Sequence, residues 1–141
     1  MVSSVPQFRI SEVASLLGVS DDTVRRWAEA GRFPTRRAEN GRLVVEGRDL
    51  AAFAQKHAHS PDVSLSARSA RNTLTGLVTR VIVDGVMAQV DLQCGPFRVV
   101  SLMSREAVED LGLEPGVLAV ASIKATQVVV EIPDTSRELV T

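Results

Sequence analysis

Ser69-Ala70-Arg71-Asn72-Thr73-Leu74 opens, and Ala121-Ser122-Ile123-Lys124-Ala125-Thr126 closes, the stretch whose reading decides the fold of this chain. Between these marks apolar and polar residues alternate. Leu74 to Val83 reads as a first strand, with Asp84-Gly85 as the turn out of it. Val86-Met87-Ala88-Gln89-Val90-Asp91-Leu92 predicts a second strand with Gln89 and Asp91 on its solvent side. Cys94-Gly95-Pro96 breaks the chain before a third strand, Phe97 to Met103. Ser104 caps a helix that runs to about Leu111 and is ended by Gly112. Pro115-Gly116 turns into a fourth strand, Val117 to Lys124, and Val128 to Ile132 makes a fifth. Five strands with one short helix after the third predict a small five-stranded OB-like β-barrel.

The chemistry of this stretch points to binding. It holds no His, no nucleophile beside a base and no convincing carboxylate pair, so an enzyme is not expected. It does hold donors suited to a doubly charged tetrahedral anion, which needs cations to offset its charge and N–H or O–H groups to replace its water. Arg71 and Lys124 supply charge, and Ser69 and Ser104 supply hydroxyls. Ser104 also begins a helix, whose first N–H groups at Arg105, Glu106 and Ala107 form an anion seat. Taken singly, each has a plainer role: Arg71 pairing an acid, Ser104 a cap, Lys124 a strand-end lysine.

The residues ahead of this stretch have helical periodicity. Ser11 reads as an N-cap, followed by an apolar stripe of Val13, Leu16 and Leu17, and Gly18 ends the helix. Ser20 caps a second helix, Asp21 to Ala30, stopped by Gly31. Val24, Trp27 and Ala28 share its inner face, so Trp27 is read as core, while Asp22, Arg25, Arg26 and Glu29 lie opposite. A short helix, a tight turn and a second helix with paired exposed arginines is what a helix-turn-helix needs to enter the major groove. Thr35-Arg36-Arg37-Ala38 and Arg42-Leu43-Val44-Val45 flank Glu39-Asn40-Gly41, and Asn-Gly predicts a hairpin. Six arginines from Arg25 to Arg42 stand against Glu29 and Glu39, making that hairpin a basic wing. The residues expected to meet DNA are Asp22, Thr23, Arg25, Arg26, Arg36, Arg37 and Arg42. A third helix is predicted from about Arg48 to His57, with Leu50, Phe53 and Ala54 inward.

Charge follows the same division. Up to Ser60 there are nine basic residues against seven acids, and thereafter seven against ten, within a net charge of −1 over 141 residues. The polar run from His57 to Arg68 carries Pro61 and reads as the linker, with His57 and His59 solvated in it. The expected organisation is α+β: residues 1–58 a winged helix-turn-helix, 59–68 a linker, 69–134 the barrel and 135–141 a tail. The single cysteine, Cys94, excludes an internal disulfide. With no basic-then-apolar leader and no membrane-length apolar run, that implies a cytoplasmic chain. With no Tyr and one Trp, the barrel core rests on small aliphatics, which favours oligomerisation of so small a domain.

Two resemblances follow from these residues. Phe8-Arg9-Ile10-Ser11-Glu12-Val13-Ala14 through Thr23-Val24-Arg25-Arg26-Trp27-Ala28-Glu29-Ala30-Gly31-Arg32-Phe33-Pro34 resembles the MerR-type and excisionase-type winged helix-turn-helix. The stretch from Ser69 to Lys124 resembles the Mop domain, an oxyanion-binding module of the TOBE type. The second resemblance implies molybdate or tungstate as ligand, bound between subunits of a homo-oligomer. It places Ser69, Arg71 and Asn72 of the opening motif, Ser104 at the helix start and Lys124 of the closing motif in the site. The family's second hydroxyl residue falls on Ala107, a departure that removes a side-chain donor. A preceding Ser66-Ala67-Arg68 is set aside because the spacing to Leu74 and Gly76 suits the second triplet. Together the resemblances imply a molybdate- or tungstate-responsive regulator that reads double-stranded DNA and has no other cofactor. A molybdate-storage protein, or a DNA-binding protein whose barrel serves assembly alone, are the alternatives.

Overall fold

The computed structural model describes residues 6–58 and 68–134. They form two compact units, residues 6–58 together with 131–134, and residues 68–130.

In the first unit β1 (Gln7–Arg9) leads into α1 (Ile10–Leu17), α2 (Asp21–Glu29), β2 (Arg36–Arg37), β3 (Leu43–Glu46) and α3 (Gly47–His57). Arg9, not Ser11, stands at the N-cap of α1, and Ser11 lies inside the helix. The reason is Glu12, whose carboxylate reaches back to accept the Arg9 backbone N–H and Nε, each at 3.0 Å. Gly18 ends α1 in the left-handed region that a glycine enters without steric cost. The predicted Ser20 cap forms, its Oγ accepting the Thr23 N–H at 3.2 Å. Val13 and Val24 are fully buried where α1 and α2 cross, with Ile10, Phe33, Val45, Leu50 and Phe53 around them. Each such side chain contributes about 1.5–3 kcal/mol by leaving water.

The wing forms as expected. Ala38 N–H donates to the Arg42 carbonyl at 2.8 Å and Asn40 Oδ1 accepts the Arg42 N–H at 3.0 Å. Strand β1 was not foreseen, because three residues are too few to show alternation. It pairs antiparallel with β3, giving a sheet of order β1-β3-β2. His57 is exposed as expected but does not belong to the linker. It ends α3 and lies against Phe53 at 5.4 Å and Trp27 at 4.9 Å between ring centroids. Trp27 packs on the core as predicted, 5.0 Å from Phe53. His59 lies outside the described residues.

The second unit is an antiparallel sheet with one helix. Its elements are β4 (Asn72–Asp84), β5 (Met87–Cys94), β6 (Phe97–Ser104), α4 (Arg105–Leu111) and β7 (Leu118–Ile123), in the order β6-β5-β4-β7. Strand β4 is longer than the alternation suggested because it serves two partners in turn. Residues 72–77 pair with β7 and 77–84 pair with β5. The changeover is marked by a register shift between Val78 and Arg80, the device that bends a sheet toward a barrel. Inward residues of β4 and β5, with Val108 of α4, form the core.

Two expectations are corrected here. Val128–Ile132 is not a fifth paired strand among the described residues. A 3₁₀ turn at Ala125–Gln127 follows β7, and the apolar run beyond it is exposed. Asp91 is not solvated: it is 4% exposed although it lies on the outward face of β5. Arg98 on β6 covers it, with Nη2 2.9 Å from its carboxylate, and Gln89 donates to it at 3.0 Å. Alternation locates a face, but not what the next strand's long side chains lay over that face. Among the described residues no helix is long and apolar enough to cross a membrane.

Candidate functional site

Antiparallel pairing sets the start of β4 beside the end of β7. Asn72 is the register partner of Ile123, and its amide donates to the Ile123 carbonyl at 3.1 Å. Lys124 is the next residue and Arg71 the previous one, so two cations and an amide gather at one end of the sheet. Both cations are exposed. Arg71 donates to the Arg68 carbonyl at 3.2 Å and has no carboxylate partner, and Lys124 forms no ion pair among the described residues. Ser69 is exposed just ahead of them. Arg68, set aside on spacing, belongs here too: it donates to Ser122 Oγ at 2.8 Å and also to Thr73 Oγ1. Two arginines three residues apart leave the sequence alone unable to say which one grips the sheet and which stays unpaired.

The second group lies elsewhere in the ladder. Ser104 ends β6 opposite Met87, which pairs with Asp84 at the far end of β4. Its Oγ accepts the Ala107 N–H at 3.0 Å, so Ser104 does cap α4. The expected seat of free N–H groups is largely occupied. Arg105 N–H donates to the Val86 carbonyl at 2.8 Å, and Ala107 N–H is held by Ser104. Of the three donors, Glu106 alone keeps its N–H uncommitted among the described residues. The chain therefore brings Arg71, Asn72 and Lys124 together, and no hydrogen bond or ion pair among the described residues links them to Ser104 or Ala107.

Asp91 lies apart from both groups. The Gln89 amide donated to it, followed by the Arg98 guanidinium, holds its carboxyl below the usual carboxylate range despite its burial.

In the first unit, α2 presents Asp22, Thr23, Arg25 and Arg26 on its exposed side. Thr23 Oγ1 lies 2.9 Å from Ser20 Oγ and accepts Arg26 Nη2 at 3.2 Å, which steers that guanidinium along the helix. Arg25 lies a loose 3.9 Å from Asp22. On the wing, Arg36 pairs with Glu46 at 2.9 Å and Arg37 donates to the Gly41 carbonyl at 2.8 Å. Both are anchored to the hairpin, whereas the Arg42 guanidinium has no partner among the described residues. A groove of about 660 Å³ runs between the start of α1, α2 and the wing, and Arg9, Arg25 and Arg42 line it with Asp21 and Glu29. Arg9 was missed as a member of this basic face because its place depends on β1.

These two units have separate counterparts among known proteins. A helix-turn-helix domain matches residues 8–58 and a TOBE domain matches residues 68–130. The second match extends to a molybdenum-pterin-binding protein of Clostridium pasteurianum. It is 41% identical over 63 residues, which are 44% of this chain and 93% of that protein. The chain belongs to the TOBE-domain family, with a helix-turn-helix domain ahead of the TOBE domain. Among solved structures it is similar to a molybdate-binding protein from Sporomusa ovata. That likeness has 30% identity and a TM-score of 0.46, over 47% of this chain and 98% of the other. It is also similar to the cytoplasmic molybdate-binding protein ModG, with 40% identity and a TM-score of 0.48 over 52% of this chain. It spans 53% of that protein's length.

Proposed function

We propose that this chain is a cytoplasmic DNA-binding transcriptional regulator that responds to molybdate or tungstate. The observation that carries the reading is a pairing within one chain. A winged helix-turn-helix with an arginine-lined groove is followed by a TOBE domain 41% identical to a molybdenum-pterin-binding protein. In this reading α2 enters the major groove. Arg25 and Arg26 donate to base edges or phosphates, with Asp22 and Thr23 on the same turn. Arg36, Arg37 and Arg42 of the wing follow the backbone, with Arg9 beside them. The anion meets Ser69, Arg71, Asn72 and Lys124 of one subunit. Ser104 and the Ala107 position come from another, because no hydrogen bond or ion pair among the described residues joins the two groups. Binding then selects one subunit arrangement, and through it the spacing of two recognition helices on an inverted repeat. The reading assigns no catalytic step and no further cofactor.

One observation favours a second reading, in which the barrel assembles the DNA reader without binding anion. The Arg105 and Ala107 N–H groups are committed within the chain, and Ala107 brings no hydroxyl. A single experiment separates the readings. The purified chain is screened against a random duplex pool, and selected DNA is titrated by fluorescence anisotropy with and without molybdate in excess sulfate. A several-fold change in affinity with molybdate, together with loss of binding in an Arg25→Ala, Arg26→Ala variant, is the expected result. DNA binding indifferent to molybdate would leave the assembly reading. No selected DNA at all would overturn the regulator reading in favour of anion storage.

A further inference from the structure

Arg68 and Arg71 stand three residues apart, and their guanidinium groups are engaged differently. Arg68 is half-buried and pairs with no carboxylate among the described residues. Its two terminal nitrogens straddle the ladder. Nη1 donates to Ser122 Oγ of β7 at 2.8 Å, and Nη2 donates to Thr73 Oγ1 of β4. Thr73 and Ser122 are register partners one step from the Leu74–Ala121 pair, so they lie on the other face of the sheet from Ala121. Arg71 is exposed and gives Nη1 to the Arg68 carbonyl at 3.2 Å. Its Nε and Nη2, the edge that meets two oxygens of an oxyanion at once, have no partner among the described residues.

Ser69, Ala70 and Arg71 precede the ladder, which begins at Asn72, and no backbone hydrogen bond among the described residues ties them down. Side chains close the segment instead. The Arg68 fork joins its start to Thr73 beyond its end, and Arg71 returns to the Arg68 carbonyl. Building on the anion reading above, we propose that Arg68 is a positioning residue of the anion site. It buckles the segment that carries Ser69 and Arg71, and it leaves the Nε–Nη2 edge of Arg71 to the ligand. Arg68 does not itself hold the anion, because both prongs of its fork are spent on the strands. A segment closed in this way enters binding already ordered, whereas ordering one long side chain on binding weakens affinity by up to about tenfold. Arginine suits the role and lysine does not. The planar fork spans two hydroxyls on neighbouring strands, while an ammonium is a point charge on a flexible stem. The competing account of Arg68 is its charge alone, which lysine supplies equally.

The test titrates molybdate into the full chain by calorimetry, in excess sulfate, with a melting curve for every variant. Arg68→Ala should weaken binding about tenfold, and Arg68→Lys should weaken it as much. A Thr73→Val, Ser122→Ala variant removes both acceptors while Arg68 keeps its charge. It should match Arg68→Ala, and adding Arg68→Ala to it should cost nothing more, because the three side chains act as one unit. Affinity restored by Arg68→Lys would make Arg68 a source of charge and overturn the positioning role. Losses that simply add across the cycle would overturn it too. So would an Arg68→Ala chain that melts earlier yet binds molybdate as the native chain does, since that is a purely structural role. The native chain is titrated first. No heat from it would overturn the anion reading and this inference together, whereas native binding with unaltered variants overturns this inference alone.

Discussion

Gly76 sits where β4 crosses closest to the end of β5, and a single added carbon there tests the barrel core. A Cβ built at Gly76 would lie 2.5 Å from Cys94 Sγ and 2.8 Å from the Gln93 carbonyl oxygen. The sulfur belongs to a short side chain and the oxygen to backbone held in the β4–β5 ladder, so neither withdraws freely. Overpacking of this kind costs about 1–3 kcal/mol. Taken as about 2 kcal/mol in a domain of this size, Gly76→Ala lowers the unfolding midpoint by roughly 8–16 °C. Removing the sulfur in a Gly76→Ala, Cys94→Ala variant relieves the closer contact and leaves the carbonyl. Its midpoint should therefore lie above the sum of the two single effects, though below that of Cys94→Ala alone. The assay can assign the effect to its unit. The chain's one tryptophan, Trp27, belongs to the first unit, so its fluorescence reports that unit while calorimetry records both. The barrel transition should fall and the Trp27 transition stay. A barrel midpoint unmoved by Gly76→Ala would refute the close approach of β4 to β5 at this point.

Lys124→Ala should weaken molybdate binding at least tenfold by calorimetry, leaving barrel stability within about 0.5 kcal/mol, since exposed substitutions cost little. Unchanged anion affinity would remove Lys124 from the site. Val24→Ala deletes two carbons from a fully buried position and should cost the first unit about 2 kcal/mol, read as an earlier Trp27 transition. Because the folded-state pKa of Asp91 is lowered, its contribution to barrel stability is complete above its ordinary value of 3.8 and is lost as pH falls through the folded value. The barrel midpoint should therefore drop below about pH 4, and Asp91→Asn should flatten that drop; identical acid profiles would discount the pair with Arg98.

The sequence made the element order legible because each boundary carries its own chemistry. Ser20 and Ser104 cap, Gly18 and Gly112 stop, and Asn40-Gly41 and Asp84-Gly85 turn, all from local interactions. What eluded it depends on partners distant in the chain. Strand β1 exists only through β3, Asp91 is buried only by Arg98, and His57 packs only because α3 returns to Trp27. The candidate site divides along the same line. The gathering of Arg71, Asn72 and Lys124 follows from the antiparallel pairing of β4 with β7. The choice between Arg68 and Arg71 as the sheet-gripping arginine turns on Thr73 and Ser122, which no spacing rule reveals. Val128–Ile132 alternates like a strand, yet it pairs with none among the described residues, because period alone does not supply a neighbour.

A site assembled from two subunits has a thermodynamic signature that a site within one chain lacks. If Arg71 and Lys124 of one copy meet Ser104 of another, the anion binds the assembled form and not the monomer, so its apparent affinity must fall on dilution below the dissociation constant of the assembly. Linkage makes the effect reciprocal. The factor by which assembly tightens anion binding is the factor by which anion tightens assembly, so a hundredfold gain on one side, about 2.7 kcal/mol, appears in full on the other. Sedimentation velocity over a dilution series, with and without molybdate, reads both halves of the cycle. Anion should shift the dissociation midpoint to lower protein concentration, and sulfate should not. An anion affinity constant across the dilution series, down to demonstrated monomer, would place the whole site within one chain. The cations at the start of β4 would then have to hold the anion without Ser104.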